Sequence, residues 1–242
     1  MALVNRITAW SYSRYSKYTE CPAAAKYKFI DKREEPGSAA MDRGDAIHKL
    51  AEAYVSGKLP KHSDSMIPFD KQFKALEKSK FKKLPAELEK FTGEFAELKA
   101  SKPLVEEMWC FKSDWAETVW NDWNGIWCRI KTDAVCTDGD TAYVIDHKTG
   151  KNRGGYTEQM SLYGLGAFLK FPHIKKVVAQ LWFLDSGDVV PAEFEAKDLK
   201  PLQKDWEKKV KPMLNDTMFA PRPGNACRFC HFKKANGGPC KF

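Results

Sequence analysis

The chain has 242 residues, of which 43% are hydrophobic and 13% aromatic, and this is enough for one substantial core. Its formal net charge is +8 and its pI is near 9.0, and residues 197–242 hold 11 basic against 4 acidic residues. Such a surplus suits a polyanionic partner. The sequence lacks a run of 18 uncharged apolar residues, and MALVNRITAW lacks the apolar core of a signal peptide, so we expect a cytoplasmic protein of bacterial or phage-like type with no membrane partner.

The first part of the sequence predicts helices. Residues 11–30 predict a helix that is interrupted at Pro22, directly after Cys21, and then a second short helix. Residues 42–56 have apolar side chains at helical spacing, and His48 lies close to that apolar arc. Residues 61–102 are rich in Lys and Glu with apolar residues at helical intervals, which predicts two solvated helices.

Strand patterns follow at residues 104–111, 125–136 and 141–148, and the Asp138-Gly139 pair between the last two predicts a hairpin. We interpret the three as a β-meander. A Gly-rich loop leads to a predicted helix over residues 156–169, a strand over 175–184, a short strand over 189–194 and a last helix over about 198–215. Helices, then strands, then helix and strand predict an α/β sandwich with a mixed sheet.

The residues best placed for chemistry are at the end of the second hairpin strand. Asp146 and Lys148 are two residues apart, so their side chains share one face while His147 points the other way. Asp133 lies on the preceding strand, across the Asp-Gly hairpin, where it could share a metal ion with Asp146. Two carboxylates can hold Mg²⁺ or Mn²⁺, and a lysine can polarise an attacking water and offset charge on a phosphorane-like transition state, which points to phosphodiester hydrolysis.

The segments around these residues resemble the motifs of the RecB-like branch of the PD-(D/E)xK nuclease superfamily. Residues 145–150 (IDHKTG) resemble its D/E-x-K motif, residues 129–133 (RIKTD) its preceding aspartate motif, residues 159–163 (QMSLY) its Q-x-x-x-Y signature and residues 44–48 (GDAIH) its helix-borne histidine motif. The resemblance spans almost the whole chain. It implies a restriction-endonuclease-like α/β/α sandwich with a central mixed sheet, formed by residues 1–242 as a single nuclease domain.

The resemblance also implies the roles of individual residues. The metal ligands would be His48, Asp133 and Asp146, with the backbone carbonyl of His147 as a further ligand. Lys148 would be the catalytic lysine. Gln159 and Tyr163 lie four residues apart on one helix face, where they could orient DNA or the lysine. An imidazole among oxygen ligands favours Mn²⁺ somewhat over Mg²⁺. Either Glu106 or Glu107 could add a carboxylate, and the sequence does not choose between them.

Four of the seven cysteines form a possible metal-binding set at the two ends of the chain. Cys227 and Cys230 form a C-x-x-C pair, Cys240 follows, and Cys21 supplies a fourth thiol, so the set could bind zinc or an iron–sulfur cluster. One early cysteine with a late triplet resembles the iron–sulfur nucleases of AddB type and of CRISPR adaptation. We therefore expect a [4Fe–4S] cluster, with zinc as the alternative and His231 as a competing ligand. Residues 1–30 and 216–242 would together form a cluster-binding cap.

These features predict a divalent-metal-dependent DNA nuclease, an exonuclease acting on single-stranded or end-containing DNA in replication, recombination or repair. Because the sequence has no G-x-x-x-x-G-K-[S/T] motif, unwinding would require a separate helicase or recombination partner. The tryptophans at 115, 120, 123 and 127 either stack on unpaired bases or pack a loop against the core. The alternative function is a non-catalytic nucleic-acid-binding module stapled by zinc.

Overall fold

The computed structural model describes residues 5–58, 92–184 and 186–242. The described helices are α1 (Tyr12–Glu20), α2 (Pro22–Phe29), α3 (Ala39–Val55), α4 (Thr92–Ala100), α5 (Thr157–Lys170) and α6 (Leu199–Asn215). The described strands are β1 (Leu104–Val105), β2 (Met108–Phe111), β3 (Glu117–Thr118), β4 (Cys128–Lys131), β5 (Ala134–Asp138), β6 (Thr141–Lys148), β7 (Lys176–Phe183) and β8 (Asp188–Glu195).

The chain divides into two compact units. The first contains Met1–Pro36, Trp109–Ile130 and Lys200–Phe242, and the second contains Gly37–Met108 and Lys131–Leu199. Each unit therefore draws on segments that are far apart in sequence.

The second unit is built on a five-stranded sheet with the order β1-β5-β6-β7-β8. Strands β6 and β7 are parallel and the other neighbours are antiparallel, which confirms the predicted mixed sheet. The β5–β6 hairpin turns at Gly139, whose φ of 56° is a conformation that glycine adopts without strain. The parallel pair requires a crossover between β6 and β7, and α5 supplies it.

Helices cover both faces of this sheet. On one face, α3 and α4 pack their apolar side chains against strand residues to form a buried cluster of Ile47, Ala51, Tyr54, Val55, Phe95, Leu98, Ala134, Ile145, Trp182 and Leu184. On the other face lies α5, where a Cβ added to Gly164 would come within 2.6 Å of the Phe194 ring. Two helical layers around a mixed sheet confirm the predicted restriction-endonuclease-like sandwich.

Two of the predicted strands are each divided in the structure. The predicted three-stranded meander is present, with β1, β5 and β6 as antiparallel neighbours, but only part of each divided strand belongs to it. Residues 104–111 form β1 and β2, and residues 125–136 form β4 and β5, and the members of each pair belong to different sheets. The break in the first is at Glu106, whose backbone has a positive φ of 54°. Opposite it, Thr132 and Asp133 leave the ladder, although the Glu106 amide still donates to the Asp133 carbonyl oxygen at 3.0 Å.

The first unit holds most of a three-stranded sheet with the order β3-β2-β4. The helices α1, α2 and α6 belong to the same unit. The predicted break between α1 and α2 is confirmed, with Cys21 between them and Pro22 as the first residue of α2. Fully buried Trp10 stacks on Trp206 of α6 with ring centroids 5.2 Å apart, so the core of this unit is largely aromatic.

Of the two helices predicted within residues 61–102, only the part that forms α4 is described, and residues 59–91 lie outside the described residues. Across residues 5–58, 92–184 and 186–242, none of the helices has the length and apolar character that crossing a membrane requires.

Candidate active site and metal centre

The residues of the predicted D-x-K motif lie at the C-terminal end of the central strand β6. Asp146 and Lys148 project from the same face, and Lys148 Nζ lies 2.5 Å from Asp146 Oδ2. Asp146 is buried, with 7% of its surface exposed, whereas Lys148 is half-buried. Apart from the contact with Lys148, Asp146 Oδ2 has no polar partner in the part of the chain that the structure describes, so this oxygen can accept a further ligand.

The other oxygen of Asp146 is held by α5. Tyr163 Oη donates to Asp146 Oδ1 at 2.5 Å, and Gln159 Nε2 donates to Tyr163 Oη at 2.8 Å and to Asp146 Oδ1 at 3.4 Å. The one-turn spacing of Gln159 and Tyr163 puts both on the face of α5 that meets β6. We predicted contacts of this pair with DNA or with the lysine, whereas the structure gives both residues contacts with the carboxylate.

Asp133 lies immediately before β5 and faces His48 of α3. His48 Nδ1 is 3.3 Å from Asp133 Oδ1, and the backbone N–H of His147 donates to Asp133 Oδ2 at 2.6 Å. The sequence predicted a strand position for Asp133. The break in the strand instead frees its side chain to reach the end of β6 and α3 at once.

His147 has a position that sequence reasoning did not assign. Its side chain points away from Asp146 and packs between Phe95 and Trp182, with ring centroids 5.2 and 5.7 Å away. Its Nδ1 is 3.7 Å from Asp133 Oδ2, and its buried Nε2 has no hydrogen-bond partner among the described residues. We predicted the backbone carbonyl as the ligand atom, but the structure brings the imidazole into the group as well.

The two aspartates differ in their electrostatic environment. Burial raises the pKa of Asp146, Lys148 opposes this shift, and the charge of Asp133 adds to it. Burial also acts to raise the pKa of Asp133, but the hydrogen bond from His48 and the nearby His147 hold this pKa at about 2. Burial lowers the pKa of His147 to about 4, so its imidazole is neutral near pH 7. Asp133 is therefore an anion that two histidines stabilise.

The donor atoms fit a divalent cation. Among the residues that the structure describes, one group of three has its ligand atoms within 4.8 Å of one another, and it consists of His48, Asp133 and His147. Asp146 lies outside this distance limit, but its charge affects the pKa of His48. Carboxylate oxygens and imidazole nitrogens are ligands of Mg²⁺ and Mn²⁺, with nitrogen favouring Mn²⁺.

The structure also separates the two candidate glutamates. Glu106 lines a small pocket that His48, Asp133 and His147 share, and it forms an ion pair with Lys131. Glu107 is not among the residues around this pocket in the described part of the chain. The positive φ of Glu106 directs this residue toward the pocket, and the local sequence does not predict that conformation.

The four cysteines of the predicted cluster line one cavity in the first unit. Cys21, Cys227, Cys230 and Cys240 share it with aromatic residues such as Tyr27 and with three basic residues, Lys17, Arg222 and Lys233. The exposed His231 does not contribute to its lining. The far ends of the sequence thus bring their thiols to one place.

Local structure explains how these cysteines are presented. Cys21 directly precedes the first residue of α2, and its Sγ accepts the Arg222 amide at 3.4 Å. Cys227 Sγ accepts the Gly224 amide at 3.4 Å. The Cys240 amide donates to the Phe232 carbonyl oxygen at 2.9 Å, so the nine-residue segment after Cys230 folds back on itself. Gly238 permits this, because a Cβ there would lie 2.2 Å from that oxygen.

Comparison with known proteins assigns the family. A family model described as the PD-(D/E)XK nuclease superfamily matches residues 9–235. The chain belongs to the PD-(D/E)XK nuclease superfamily. PD-(D/E)XK nucleases use Mg²⁺ or Mn²⁺ to hydrolyse nucleic acids, and the metal-ligand group around Asp133 is the corresponding candidate site in this member.

One solved structure supports the same fold. A candidate exonuclease from Eubacterium rectale superposes with a TM-score of 0.51 at 13% identity, covering 93% of this chain and 87% of that protein. The crystal structure of SSO0001 matches with a TM-score of 0.41 at 14% identity, covering 93% and 84% of the two chains. No protein of curated function matches this PD-(D/E)XK chain in sequence. Identities this low carry information about the fold alone.

The contact between α5 and Asp146 leads to a first prediction. We expect Tyr163→Phe to lower the nuclease activity roughly 10- to 100-fold and to raise the metal concentration for half-maximal activity, because residues that orient a metal-ligating carboxylate have effects of this size. Titration of activity with MnCl₂ measures both quantities. Tyr143→Phe, at a half-buried tyrosine of the same strand as Asp146, is the matched control. If the Tyr163→Phe protein kept the metal dependence of the unmodified protein, Tyr163 would have no role in the metal site.

Proposed function

We propose that this protein is a divalent-metal-dependent deoxyribonuclease of the RecB-like branch, and that Asp133, Asp146 and Lys148 form its catalytic centre. The observation that carries the proposal is the ion pair between Asp146 and Lys148 beside the group that surrounds Asp133. An ion pair on a solvated strand would have little significance, but this one is buried on the central strand of the sheet.

In this proposal each residue has a defined task. The metal ligands would be His48, Asp133, Asp146 and His147, and a bound divalent ion would supply Lewis-acid stabilisation of the phosphate and a low pKa for an attacking water. Lys148 would orient the attacking water and offset negative charge on the phosphate. Gln159 and Tyr163 hold Asp146 Oδ1, so that Oδ2 stays directed toward Lys148.

The mode of action that we propose is exonucleolytic cleavage of DNA with free ends. The ordered histidine, aspartate, D-x-K and Q-x-x-x-Y motifs support the RecB-like assignment, in which such activity occurs. The name of the Eubacterium rectale protein agrees with it, although that likeness concerns the fold. Work in replication, recombination or repair would follow, with a separate helicase as partner.

The test uses the full chain with linear and circular single-stranded DNA of equal length, in MnCl₂, in MgCl₂ and in EDTA. We expect digestion of end-labelled linear DNA with Mn²⁺ more active than Mg²⁺, because imidazoles are present in the donor group. The circle should resist. Digestion of the circle would contradict the exonuclease assignment, and a folded protein inactive with both metals would contradict the nuclease itself.

Preference for single strands is supported by two exposed tryptophans in the first unit. Trp115 and Trp127 pack against each other in an edge arrangement with centroids 5.0 Å apart, whereas 46% of Trp120 and 79% of Trp123 are exposed. The Arg129 guanidinium lies 4.7 Å from the Trp120 ring centroid. Trp115 and Trp127 therefore pack against the core, and we propose base stacking for Trp120 and Trp123.

The segment that carries Trp120 and Trp123 is held in shape by Asp122. Thr118 Oγ1 donates to Asp122 Oδ2 at 2.6 Å, and the Gly125 amide donates to Asp122 Oδ1 at 2.9 Å. A turn fixed in this way presents its aromatic rings with little loss of conformational entropy on binding. Indole rings that are fixed and exposed suit stacking with unpaired bases.

A second prediction follows for these residues. We expect Trp120→Ala and Trp123→Ala each to weaken binding of single-stranded DNA by roughly tenfold or more, because stacking on an aromatic ring contributes about 1–3 kcal/mol per base. Binding to duplex DNA should change little, because duplex bases are already stacked. Fluorescence anisotropy in EDTA measures both. Val119→Ala, at a 64% exposed apolar residue of the same segment, is the control. Equal losses for both kinds of DNA would contradict base stacking.

We further propose a [4Fe–4S] cluster at Cys21, Cys227, Cys230 and Cys240, joining residues 1–30 to residues 216–242 as a structural cap. The four thiols line one cavity, and this common location supports a shared occupant. The amides at Arg222 and Gly224 donate to cysteine sulfur, a contact that tunes such clusters.

A further inference from the structure

The positive charge of the chain is concentrated in one of its two compact units. Residues 1–36, 109–130 and 200–242 contain 19 lysines and arginines against 10 aspartates and glutamates, a net charge of +9. The remaining residues contain 21 and 22, a net charge of −1. The first unit therefore accounts for the whole positive balance, although the metal-ligand group lies in the second.

Helix α6 carries a large part of this charge on one side. Its buried residues Gln203, Trp206, Val210 and Met213 form the face that packs into the first unit. At about 100° per residue, four exposed lysines fall within an arc of roughly 80° that is turned away from that face. We call these four the lysine stripe: Lys200, Lys204, Lys208 and Lys211.

The acidic residues of α6 do not neutralise the lysine stripe. Asp205 pairs with Lys209, whose Nζ is 2.8 Å away, and Glu207 accepts a hydrogen bond from Trp115 Nε1 at 2.7 Å. Within residues 5–58, 92–184 and 186–242, none of the four stripe lysines takes part in an ion pair. Three exposed lysines of the second unit, Lys175, Lys176 and Lys197, each pair with a carboxylate instead. The stripe is therefore a row of uncompensated cations.

The dimensions of the stripe fit a nucleic-acid strand. With a rise of about 1.5 Å per residue, the stripe extends for roughly 16 Å along the helix. A DNA strand in B form carries one phosphate per about 3.4 Å of helix axis, so this length corresponds to about five phosphates. A membrane surface fits less well, because amphipathic binding requires an exposed apolar face, and in α6 Trp206 and Val210 are fully buried.

We propose that the lysine stripe binds the sugar–phosphate backbone of the DNA substrate, as a contact that is independent of base sequence. The proposal rests on the proposed nuclease function for the class of polyanion. Lysine ammonium groups bind phosphates as point charges, so the stripe positions DNA and does not read it. It would release counterions on binding, and this makes the contact measurable through its salt dependence.

The test is a binding titration of fluorescein-labelled single-stranded DNA in EDTA, at several salt concentrations. The variant replaces all four stripe lysines by glutamine, a good helix former. Its slope of log K against log salt should become shallower by about 2–3, since each phosphate contact contributes about 0.7. Affinity at the lowest salt concentration should fall at least about tenfold.

A matched control variant replaces Lys58, Lys175, Lys176 and Lys197 of the second unit by glutamine, which removes the same total charge. We expect its slope to equal that of the unmodified protein. A version with arginine at the four stripe positions should retain the unmodified slope, and thermal unfolding reports whether each variant is folded. An unchanged slope in the glutamine variant, or an equal change in the control, would overturn the proposal.

Two further measurements separate the stripe proposal from a membrane contact and from the proposed nuclease function. If the stripe variant loses binding to phosphatidylserine vesicles but keeps binding to DNA, the stripe is a membrane contact and the proposal fails. Binding is measured without a divalent metal, so it does not depend on cleavage. If the protein binds DNA through the stripe but never cleaves it when metal is added, the nuclease function is contradicted and the stripe proposal is not. A protein that cleaves DNA with a slope unaffected by the stripe contradicts the stripe alone.

Discussion

Replacement of Asp146 or of Lys148 by alanine is expected to reduce DNA cleavage by roughly 10²- to 10³-fold or more while the protein stays folded. Asp146 is buried and pairs with Lys148, the proposed catalytic lysine, and its loss would remove a proposed metal ligand together with the partner of Lys148. Loss of Lys148 removes the positive charge that would face the phosphate. Single-turnover digestion of end-labelled DNA in MnCl₂ measures both effects.

Folding must be separated from catalysis in these variants. Asp146→Asn keeps the size of the side chain and places a neutral group in a buried position, where an ionised carboxylate is costly, so we expect the free energy of unfolding to change little. Asp138→Asn provides the control, because Asp138 is exposed at the far end of the same hairpin. Full activity in Asp146→Asn and in Lys148→Ala would refute the proposed centre. A loss of activity in Asp138→Asn would show that the assay reports folding.

Replacement of Cys21 by serine is expected to have the largest effect on stability. A cluster that links Cys21 to Cys227 closes a loop of about 200 residues, and the loop-closure entropy of such a link is on the order of 5 kcal/mol. For a chain of this size that corresponds to a fall in Tm of roughly 10–20 °C. Thermal unfolding of protein purified without oxygen measures this fall, and the broad visible absorption of an iron–sulfur cluster should disappear with it.

The chain offers a matched control for this experiment. Cys136 is a half-buried cysteine of the second unit and does not line the cavity that the four cysteines share, so Cys136→Ser should keep the visible absorption and most of the stability. Metal analysis of the unmodified protein decides between the two occupants. A colourless protein with one zinc ion per chain would overturn the iron–sulfur assignment, although the structural link between the chain ends would remain.

Local sequence patterns determined the secondary structure where one physical effect dominates. Pro22 separates α1 from α2 because proline is accepted at the first position of a helix and not in its interior. The Asp138-Gly139 pair sets the β5–β6 hairpin, and the two-residue period of strand β6 puts Asp146 and Lys148 on one face. Helix periodicity likewise placed Gln159 and Tyr163 side by side, with no need for information on the rest of the chain.

Long-range contacts limited what could be predicted for Asp133 and Glu106. Glutamate rarely adopts a positive φ, so the bend at Glu106 cannot be predicted from the local sequence. Without the bend, residues 104–111 have the pattern of a single strand. The facing break at Thr132 and Asp133 arises because two sheets share these segments. For the same reason the side chain of His147 was assigned no role, since its neighbours Phe95 and Trp182 are distant in sequence.

The sequence by itself was enough to propose a metal-dependent hydrolase built on Asp133, Asp146 and Lys148, because this proposal needs only the residue types and the period of a strand. Tertiary structure decided how that chemistry is supported. It directs Tyr163 to Asp146 Oδ1, brings His48 to Asp133, and leaves Trp120 and Trp123 exposed while their neighbours are packed. Such contacts join segments tens of residues apart, and packing fixes them through the balance of burial and hydrogen bonding across the whole core, which no local pattern encodes.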